Sequence, residues 1–416
     1  MPAQDDLKRF LLFFLIRLLF IFLIANFYHP PDWEYGEIAR NIISGNGYSR
    51  SLDTGGRPFL TSSHAPLYPY FLAFFYQFGI KPSTFLLIQI FQAIFSTFVV
   101  VFIVKTAQII YDKRVAEIAG WLVGLYPPFI NYCIRLGPTT MLLFLLSLTI
   151  FLILKSKESG IYSYLLAGAS LALTILCDPI SFALYPALLL HFLFKNLKLK
   201  GFILIVLSSL ILLTPWTIRN YLVHKKIIPV TTHFGVNFWI GNNPNATGTD
   251  FYRVNPQNTD NYILMTHTLP IQIQDSLKNI EETQRAHFYL SKGLEFIKNY
   301  PEDFLKLLLK KFYYYWWFPP REIYFSEEVE KYKTLLIIFY IPVLLFGFSG
   351  IIFSGGYFKK ILLPFFSIIF ISFIYVIAHV GLIRYRMPVE LYLILFAAYF
   401  LNILIKKLNI HQGFHP

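Results

Sequence analysis

The chain has 416 residues, of which 56% are hydrophobic and only 14% are charged, and its mean hydropathy is +0.54. These values lie outside the usual range of soluble domains and predict an integral membrane protein. The formal net charge of +13 favours anionic lipid headgroups or phosphorylated substrates as partners. The sequence has no glycine-rich nucleotide loop and no cluster of metal-binding cysteines, so we expect neither a cytosolic nucleotide site nor a nucleic-acid partner.

Apolar runs long enough to cross a bilayer predict an all-α polytopic protein with about ten transmembrane helices. They lie at 9–28, 84–104, 116–133, 138–154, 161–177, 180–194, 201–218, 333–353, 361–380 and 388–405. Asp178 and Pro179 separate the fifth run from the sixth, and both runs are short. They therefore form either two brief spans or one broken pair that does not fully cross.

Basic residues predict the orientation of these spans. Lys and Arg collect in alternate connections, which ten spans place on one face, and the positive-inside rule assigns that face to the cytoplasm. We therefore expect a protein of the cytoplasmic membrane with both chain termini in the cytoplasm. Residues 1–218 form an N-terminal membrane module that includes the first extracytoplasmic connection, 29–82. Residues 219–332 form a partly helical extracytoplasmic region, and 333–416 hold the last spans.

The first extracytoplasmic connection opens with three carboxylates, Asp32, Glu34 and Glu37. Carboxylates at a membrane boundary suggest function. Apolar residues at three- and four-residue spacing predict a helix that starts just after Asp32. Asp32 therefore either caps that helix or takes part in catalysis.

The second connection contains a turn motif and a predicted helix. The stretch Gly-Asn-Asn-Pro-Asn at 241–245 is typical of a turn. Apolar spacing predicts a helix within 275–300 that ends before Pro301. These features indicate a small, partly helical extracytoplasmic layer on a helical membrane base.

Three arginines and one histidine are candidates for contact with phosphate. Arg219, Arg384 and Arg386 stand at the outer ends of predicted spans, where they either bind a lipid phosphate or anchor in the headgroup layer. His64 could bind phosphate, ligate a metal with Asp32, or hydrogen-bond to the backbone.

Several motifs together resemble the C-type glycosyltransferases. They are Asp32-Trp-Glu-Tyr-Gly-Glu-Ile-Ala-Arg, Gly45-Asn-Gly-Tyr48, His64-Ala-Pro-Leu-Tyr-Pro69, Thr214-Pro-Trp-Thr-Ile-Arg-Asn-Tyr221, Gly241-Asn-Asn-Pro and Arg384-Tyr-Arg-Met-Pro388. The set is similar to the bacterial branch near the protein O-mannosyltransferases and the lipid A aminoarabinose transferases (glycosyltransferase family 39-like).

The resemblance implies a C-type glycosyltransferase fold and an inverting transfer of one sugar. The donor would be a polyprenyl-phosphate-linked sugar, and the acceptor a lipid, glycan or protein on the extracytoplasmic face. Asp32 matches the acidic residue that serves as the base in this family. The family's acidic residue at the start of the fourth span is missing here, where Gly137-Pro-Thr-Thr140 stands. Asp178, predicted on the same face, could substitute for it.

Further candidates complete the predicted site. Arg219, Arg384, Arg386 and His64 would bind the donor phosphate, and Glu34, Tyr35, Tyr68, Asp178 and Tyr385 would contact substrate. No cofactor is certain, and a divalent metal ion stays open. The alternative function is a polytopic lipid or polysaccharide transporter or flippase without transferase chemistry.

Overall fold

The computed structural model describes residues 2–51, 58–156, 160–249, 251–253, 262–264, 269–278, 280–317, 327–378 and 383–411. Over these residues the protein is predominantly helical. The helices are α1 (Pro2–Ile24), α2 (Trp33–Ile43), α3 (Leu67–Tyr76), α4 (Pro82–Ile110), α5 (Lys113–Gly124), α6 (Pro127–Asn131), α7 (Thr139–Ser156), α8 (Ile161–Cys177), α9 (Leu184–Phe194), α10 (Leu199–His224), α11 (Phe234–Gly241), α12 (Ile271–Lys278), α13 (Glu282–Asn299), α14 (Pro301–Trp316), α15 (Glu327–Phe353), α16 (Phe358–Ala378) and α17 (Met387–His411).

Short 3-10 helices and two small hairpins complete the secondary structure. The 3-10 helices are Tyr132–Ile134, Pro179–Ala183, Gly355–Tyr357 and Ile383–Tyr385. Strands β1 (Ser49–Arg50) and β2 (Phe59–Leu60) pair antiparallel, with Ser49 opposite Leu60. Strands β3 (Phe251–Arg253) and β4 (Tyr262–Leu264) pair antiparallel, with Phe251 opposite Leu264.

The predicted polytopic helical fold is confirmed, and each predicted span coincides with helical structure. Five helical segments in the described ranges are long and apolar enough to cross a membrane. They are Pro82–Ile110, Thr139–Ser156, Leu199–His224, Gly355–Ala378 and Met387–Leu408. Shorter apolar helices include Ile161–Cys177, Pro179–Phe194 and Ile337–Phe353. The two short runs on either side of Asp178 are therefore separate helices.

One predicted span is not a continuous helix. The run at 116–133 contains α5, which ends at Gly124, followed by α6 and a 3-10 turn. Pro127 and Pro128 explain the break, because proline lacks the amide hydrogen that a continuing helix needs and disfavours helical backbone at the residue before it.

The core is centred on the first half of α17, where Leu391 through Ala398 are essentially inaccessible to solvent. This helix packs against α15 and α5, while α4, α7, α8 and α10 pack in sequence beside them. Two charges are buried in the bundle. Glu390 accepts a 2.5 Å ion-pair contact from Arg386 and a 2.9 Å hydrogen bond from Tyr126. Such a pair is tolerated because each charge meets a partner that offsets its desolvation.

The two long connections contact each other and form one layer, which we call the outer layer (described residues within 29–82 and 219–317). The Glu282 carboxylate at the start of α13 accepts hydrogen bonds from the Thr61 hydroxyl (2.5 Å) and the Ser62 amide (3.0 Å). Helix α13 ends at Asn299, before Pro301, as the sequence predicts. The predicted helix over 275–300 is not continuous, because α12 ends at Lys278 and α13 begins at Glu282. The predicted turn follows α11, where Asn242 and Asn243 donate to the carbonyls of Phe238 and Trp239.

Impermeant thiol labelling of intact cells tests which side of the membrane the outer layer occupies. Cysteines placed at Asn46 and Asn245, both exposed, should both react, because we expect the outer layer to be extracytoplasmic. Lys113→Cys, also exposed but at the predicted cytoplasmic start of α5, is the matched control and should react only after permeabilisation. Protection of Asn46→Cys or Asn245→Cys in intact cells would contradict the orientation.

Candidate active site

A cavity of about 250 Å³ lies between the outer layer and the ends of several bundle helices. Its lining comes from several separate parts of the chain: Tyr35; Ser63 to Ala65; Pro138, Thr139 and Leu142; Cys177 to Ile180; Thr231, His233, Phe234 and Asn237; and Ile374, Tyr375, Ala378, Arg384 and Tyr385. Five of the residues predicted from sequence meet at this cavity: Tyr35, His64, Asp178, Arg384 and Tyr385.

Asp178 is the carboxylate that lines this cavity. Helix α8 ends at Cys177, and Pro179 starts the next helix without an amide hydrogen. The Asp178 carboxylate therefore caps the first free amide, that of Ile180, at 3.0 Å. Burial raises the pKa of Asp178, whereas the Ile180 amide and the Arg384 cation act in the opposite direction.

Arg384 is the arginine that lines the cavity. It lies in the 3-10 helix Ile383–Tyr385 just before α17, and its guanidinium donates to the Tyr385 hydroxyl at 3.2 Å. The same group lies 5.1 Å from the centre of the Tyr385 ring. Within the described ranges no carboxylate lies within ion-pair distance of it. The cation can therefore receive an anion in the cavity.

His64, in the first connection, lines the same cavity as Arg384. Its Nδ1 is 2.9 Å from the Ser63 hydroxyl, and its ring stands edge-on to Tyr35 with centroids 5.0 Å apart. Burial lowers the pKa of His64 well below its usual range, and the neighbouring His233 imidazole and the Arg50 and Arg384 cations lower it further. The imidazole is accordingly neutral near pH 7 when the cavity is empty.

Asp32 lies outside the cavity lining. Its carboxylate receives both Arg40 Nη1 (2.5 Å) and the Tyr76 hydroxyl (2.6 Å), and it makes no capping bond to α2. Of the two alternatives given for Asp32, helix capping is therefore wrong. A Cβ at Gly36 would lie 1.8 Å from Asp32 Oδ2, so only glycine leaves room for this carboxylate.

The backbone beside Asp32 is strained. Trp33 has a φ of 42°, in the left-handed region that a bulky residue rarely adopts. Such strain is maintained only where surrounding contacts fix it, and it often marks a functional position. Here the Asp32 contacts to Arg40 and Tyr76 supply that fixation.

Arg219 acts on the backbone of the outer layer and does not line the cavity. Its guanidinium donates to the carbonyls of Thr61 (2.6 Å) and Tyr48 (2.8 Å) and to the Ser62 hydroxyl (3.0 Å). It also lies 4.9 Å from the centre of the Trp216 ring. These contacts hold the segment that leads into His64.

Arg386 does not line the cavity either, because its guanidinium binds groups inside the helical bundle. Besides its ion pair with Glu390, its guanidinium lies 3.6 Å from the centre of the Tyr340 ring. Arg386 and Glu390 are four residues apart on one helical face, a spacing from which this pair could have been predicted. Of the three arginines predicted to meet phosphate, Arg384 alone lines the cavity.

Tyr68 and Glu34, which the sequence predicts as substrate contacts, do not line the cavity. Tyr68 is fully buried, and its hydroxyl donates to Gln92 Oε1 at 2.8 Å, which joins α3 to α4. Glu34 is half-buried on α2 and does not line the cavity. Within the described ranges no group of three or more His, Cys, Asp and Glu residues could hold a metal ion.

Sequence reasoning missed one wall of the cavity. Thr231, His233, Phe234 and Asn237 come from the second connection, just before and within α11. No motif marks them, because their position depends on how the second connection folds back over the first. The Thr232 amide donates to the Ser62 carbonyl at 3.0 Å and fixes that return.

Comparison with known proteins supports the same fold. The family model for dolichyl-phosphate-mannose-protein mannosyltransferase matches residues 63–218. No curated protein sequence matches the chain.

Two solved structures illustrate the likeness. ArnT from Cupriavidus metallidurans, bound to undecaprenyl phosphate, is similar with a TM-score of 0.54 at 15% identity, covering 94% of this chain and 60% of ArnT. The archaeal oligosaccharyltransferase AglB from Archaeoglobus fulgidus, in complex with an inhibitory peptide and a dolichol-phosphate, is similar with a TM-score of 0.58 at 13% identity, covering 100% of this chain and 53% of AglB. The chain thus spans little more than half the length of these proteins. It has the C-type glycosyltransferase fold, and the resemblance read from its motifs is confirmed.

Arg384 and Arg386 have different neighbours, so replacing each by methionine should change the free energy of unfolding by different amounts. Arg386→Met should lower the free energy of unfolding by about 3–5 kcal/mol, because it leaves the Glu390 carboxylate buried without its cation. Arg384→Met is the matched control and should leave stability nearly unchanged. Denaturant unfolding of the purified protein in detergent measures both. Equal stability of the two variants would contradict the structural role given to Arg386.

Proposed function

We propose that the protein is an inverting glycosyltransferase that moves a single sugar from a polyprenyl-phosphate donor. The acceptor is a lipid, glycan or protein, and the reaction takes place on the extracytoplasmic face of the membrane. The observation that carries the proposal is the cavity, which combines the Arg384 cation, the Asp178 carboxylate and several aromatic rings.

The chemistry requires an anion site and a base. The acceptor oxygen forms a bond to the anomeric carbon from the side opposite the phosphate, so the configuration inverts. The bond between the anomeric carbon and the phosphate oxygen breaks, and its electron pair stays on the phosphate. We assign the stabilisation of that developing charge to Arg384, whose planar guanidinium can contact two phosphate oxygens. The similar structures of ArnT with undecaprenyl phosphate and of AglB with a dolichol-phosphate support a carrier of this type.

We propose Asp32 as the base that removes the acceptor proton, as the motif resemblance implies. Its contacts to Arg40 and Tyr76 hold the carboxylate near the start of α2, close in sequence to the cavity residue Tyr35. Asp178 is the competing candidate, because it lines the cavity directly. Either carboxylate, Asp32 or Asp178, could act as a general base, and substitution of each in turn shows which one does.

Asparagine variants test the base assignment. Asp32→Asn keeps the shape but removes the basicity, so transfer should fall by about a hundredfold or more. Arg40→Met is the matched control, because it removes the ion pair and keeps the carboxylate, and Glu34→Gln should have much less effect than Asp32→Asn. Transfer is measured with purified protein and a polyprenyl-phosphate-linked sugar. A larger loss in Asp178→Asn than in Asp32→Asn would move the base role to Asp178.

Substitution of Arg384 tests the phosphate site. Arg384→Ala should weaken use of the donor by about a hundredfold, because a neutral methyl group cannot stabilise the developing phosphate charge. Arg384→Lys should recover part of the rate, since it restores the charge but not the paired hydrogen bonds. The same transfer assay measures both. Wild-type activity in Arg384→Ala would show that this residue is not part of the phosphate site.

A further inference from the structure

Two histidines from separate connections meet at the cavity. His64 precedes α3 in the first connection, and His233 directly precedes α11 in the second. Their ring centroids lie 5.4 Å apart with the ring planes inclined by 39°. Both rings line the cavity together with Arg384. His64, His233 and Arg384 thus bring three nitrogen-bearing side chains to one cavity.

The charged groups that shift the pKa of His64 are cations, whereas the Glu282 carboxylate is bound by Thr61, Ser62 and Thr232 beside the two histidines. His233, Arg50 and Arg384 each disfavour its protonated form, in addition to the effect of burial. Tyr35 and Ser63 contact the ring as neutral groups, and Asp178 lines the same cavity. An empty cavity therefore disfavours proton binding. An anion that enters the cavity reverses this preference, because it supplies the opposite charge.

We propose that His233, together with His64 and Arg384, binds the phosphate of the lipid carrier, and that the histidine pair takes up a proton as the phosphate binds. The proposal deepens the function proposed above and rests on it. His233 would be a phosphate-binding residue in the second connection, outside the residues 63–218 that the mannosyltransferase family model matches. The protonated pair would share the negative charge of the phosphate with Arg384 through charge-assisted hydrogen bonds.

Coupling between proton uptake and phosphate binding determines how phosphate affinity changes with pH. Without phosphate His64 binds a proton weakly, and a phosphate beside the two rings would strengthen proton binding. Phosphate binding is then accompanied by proton uptake, so affinity must rise as pH falls between the two pKa values. A phosphodiester carries a single negative charge that does not titrate in this interval. It therefore reports the histidines without a contribution from its own ionisation.

Calorimetric binding of methyl farnesyl phosphate, a phosphodiester of a short polyprenol, tests the proposal on the full chain in detergent. The affinity of the wild-type protein for this phosphodiester should be about tenfold higher at about pH 6 than at about pH 8. His233→Gln should lose most of this gain and show less proton uptake when two buffers of different ionisation enthalpy are compared. His287→Gln is the matched control, since His287 is an exposed histidine on α13.

The outcomes separate this proposal from the one it rests on. Wild-type affinity and proton uptake in His233→Gln would overturn the role of His233 and leave the transferase proposal standing. Failure of the wild-type protein to bind the phosphodiester at any pH would overturn both. A folded His233→Gln protein, verified by an unchanged unfolding midpoint, excludes loss of structure as the cause of weaker binding.

Discussion

The candidate site depends on the way Arg219 holds the first connection against the end of α10. Its guanidinium binds two backbone carbonyls and one hydroxyl of that connection, those of Tyr48, Thr61 and Ser62. His64 follows two residues after the last of these contacts. Because arginine presents several donors in a rigid fork, one side chain can fix two separate strands of backbone. Glu282 binds the same stretch from the side of α13, so both connections are held together where the cavity forms.

Charge in this protein is used in two different ways. Inside the bundle, the charges of Arg386 and Glu390 compensate each other, and the apolar surroundings require that compensation. At the cavity, Arg384 has aromatic and hydroxyl neighbours but no carboxylate within ion-pair distance in the described ranges. A cation held in this way can bind an external anion without first breaking an internal ion pair. This difference is our reason for assigning the phosphate to Arg384.

The membrane helices could be predicted from sequence because long apolar runs have few alternative structures in a bilayer. The run at 116–133 was misjudged, since hydropathy does not register the break that Pro127 and Pro128 impose. Site residues were harder to predict. The motif around His64 and the position of Arg384 were informative, whereas Arg219 and Arg386 share the same chemistry but bind backbone and Glu390. His233 could not be predicted, because a contact between two long connections leaves no periodic signal in either.

An experimental structure with bound polyprenyl phosphate tests the central claim most directly. We predict phosphate density in the cavity, in contact with the Arg384 guanidinium and within reach of the His64 and His233 rings. Phosphate density at Arg219 or Arg386, or at a surface remote from the cavity, would contradict the account.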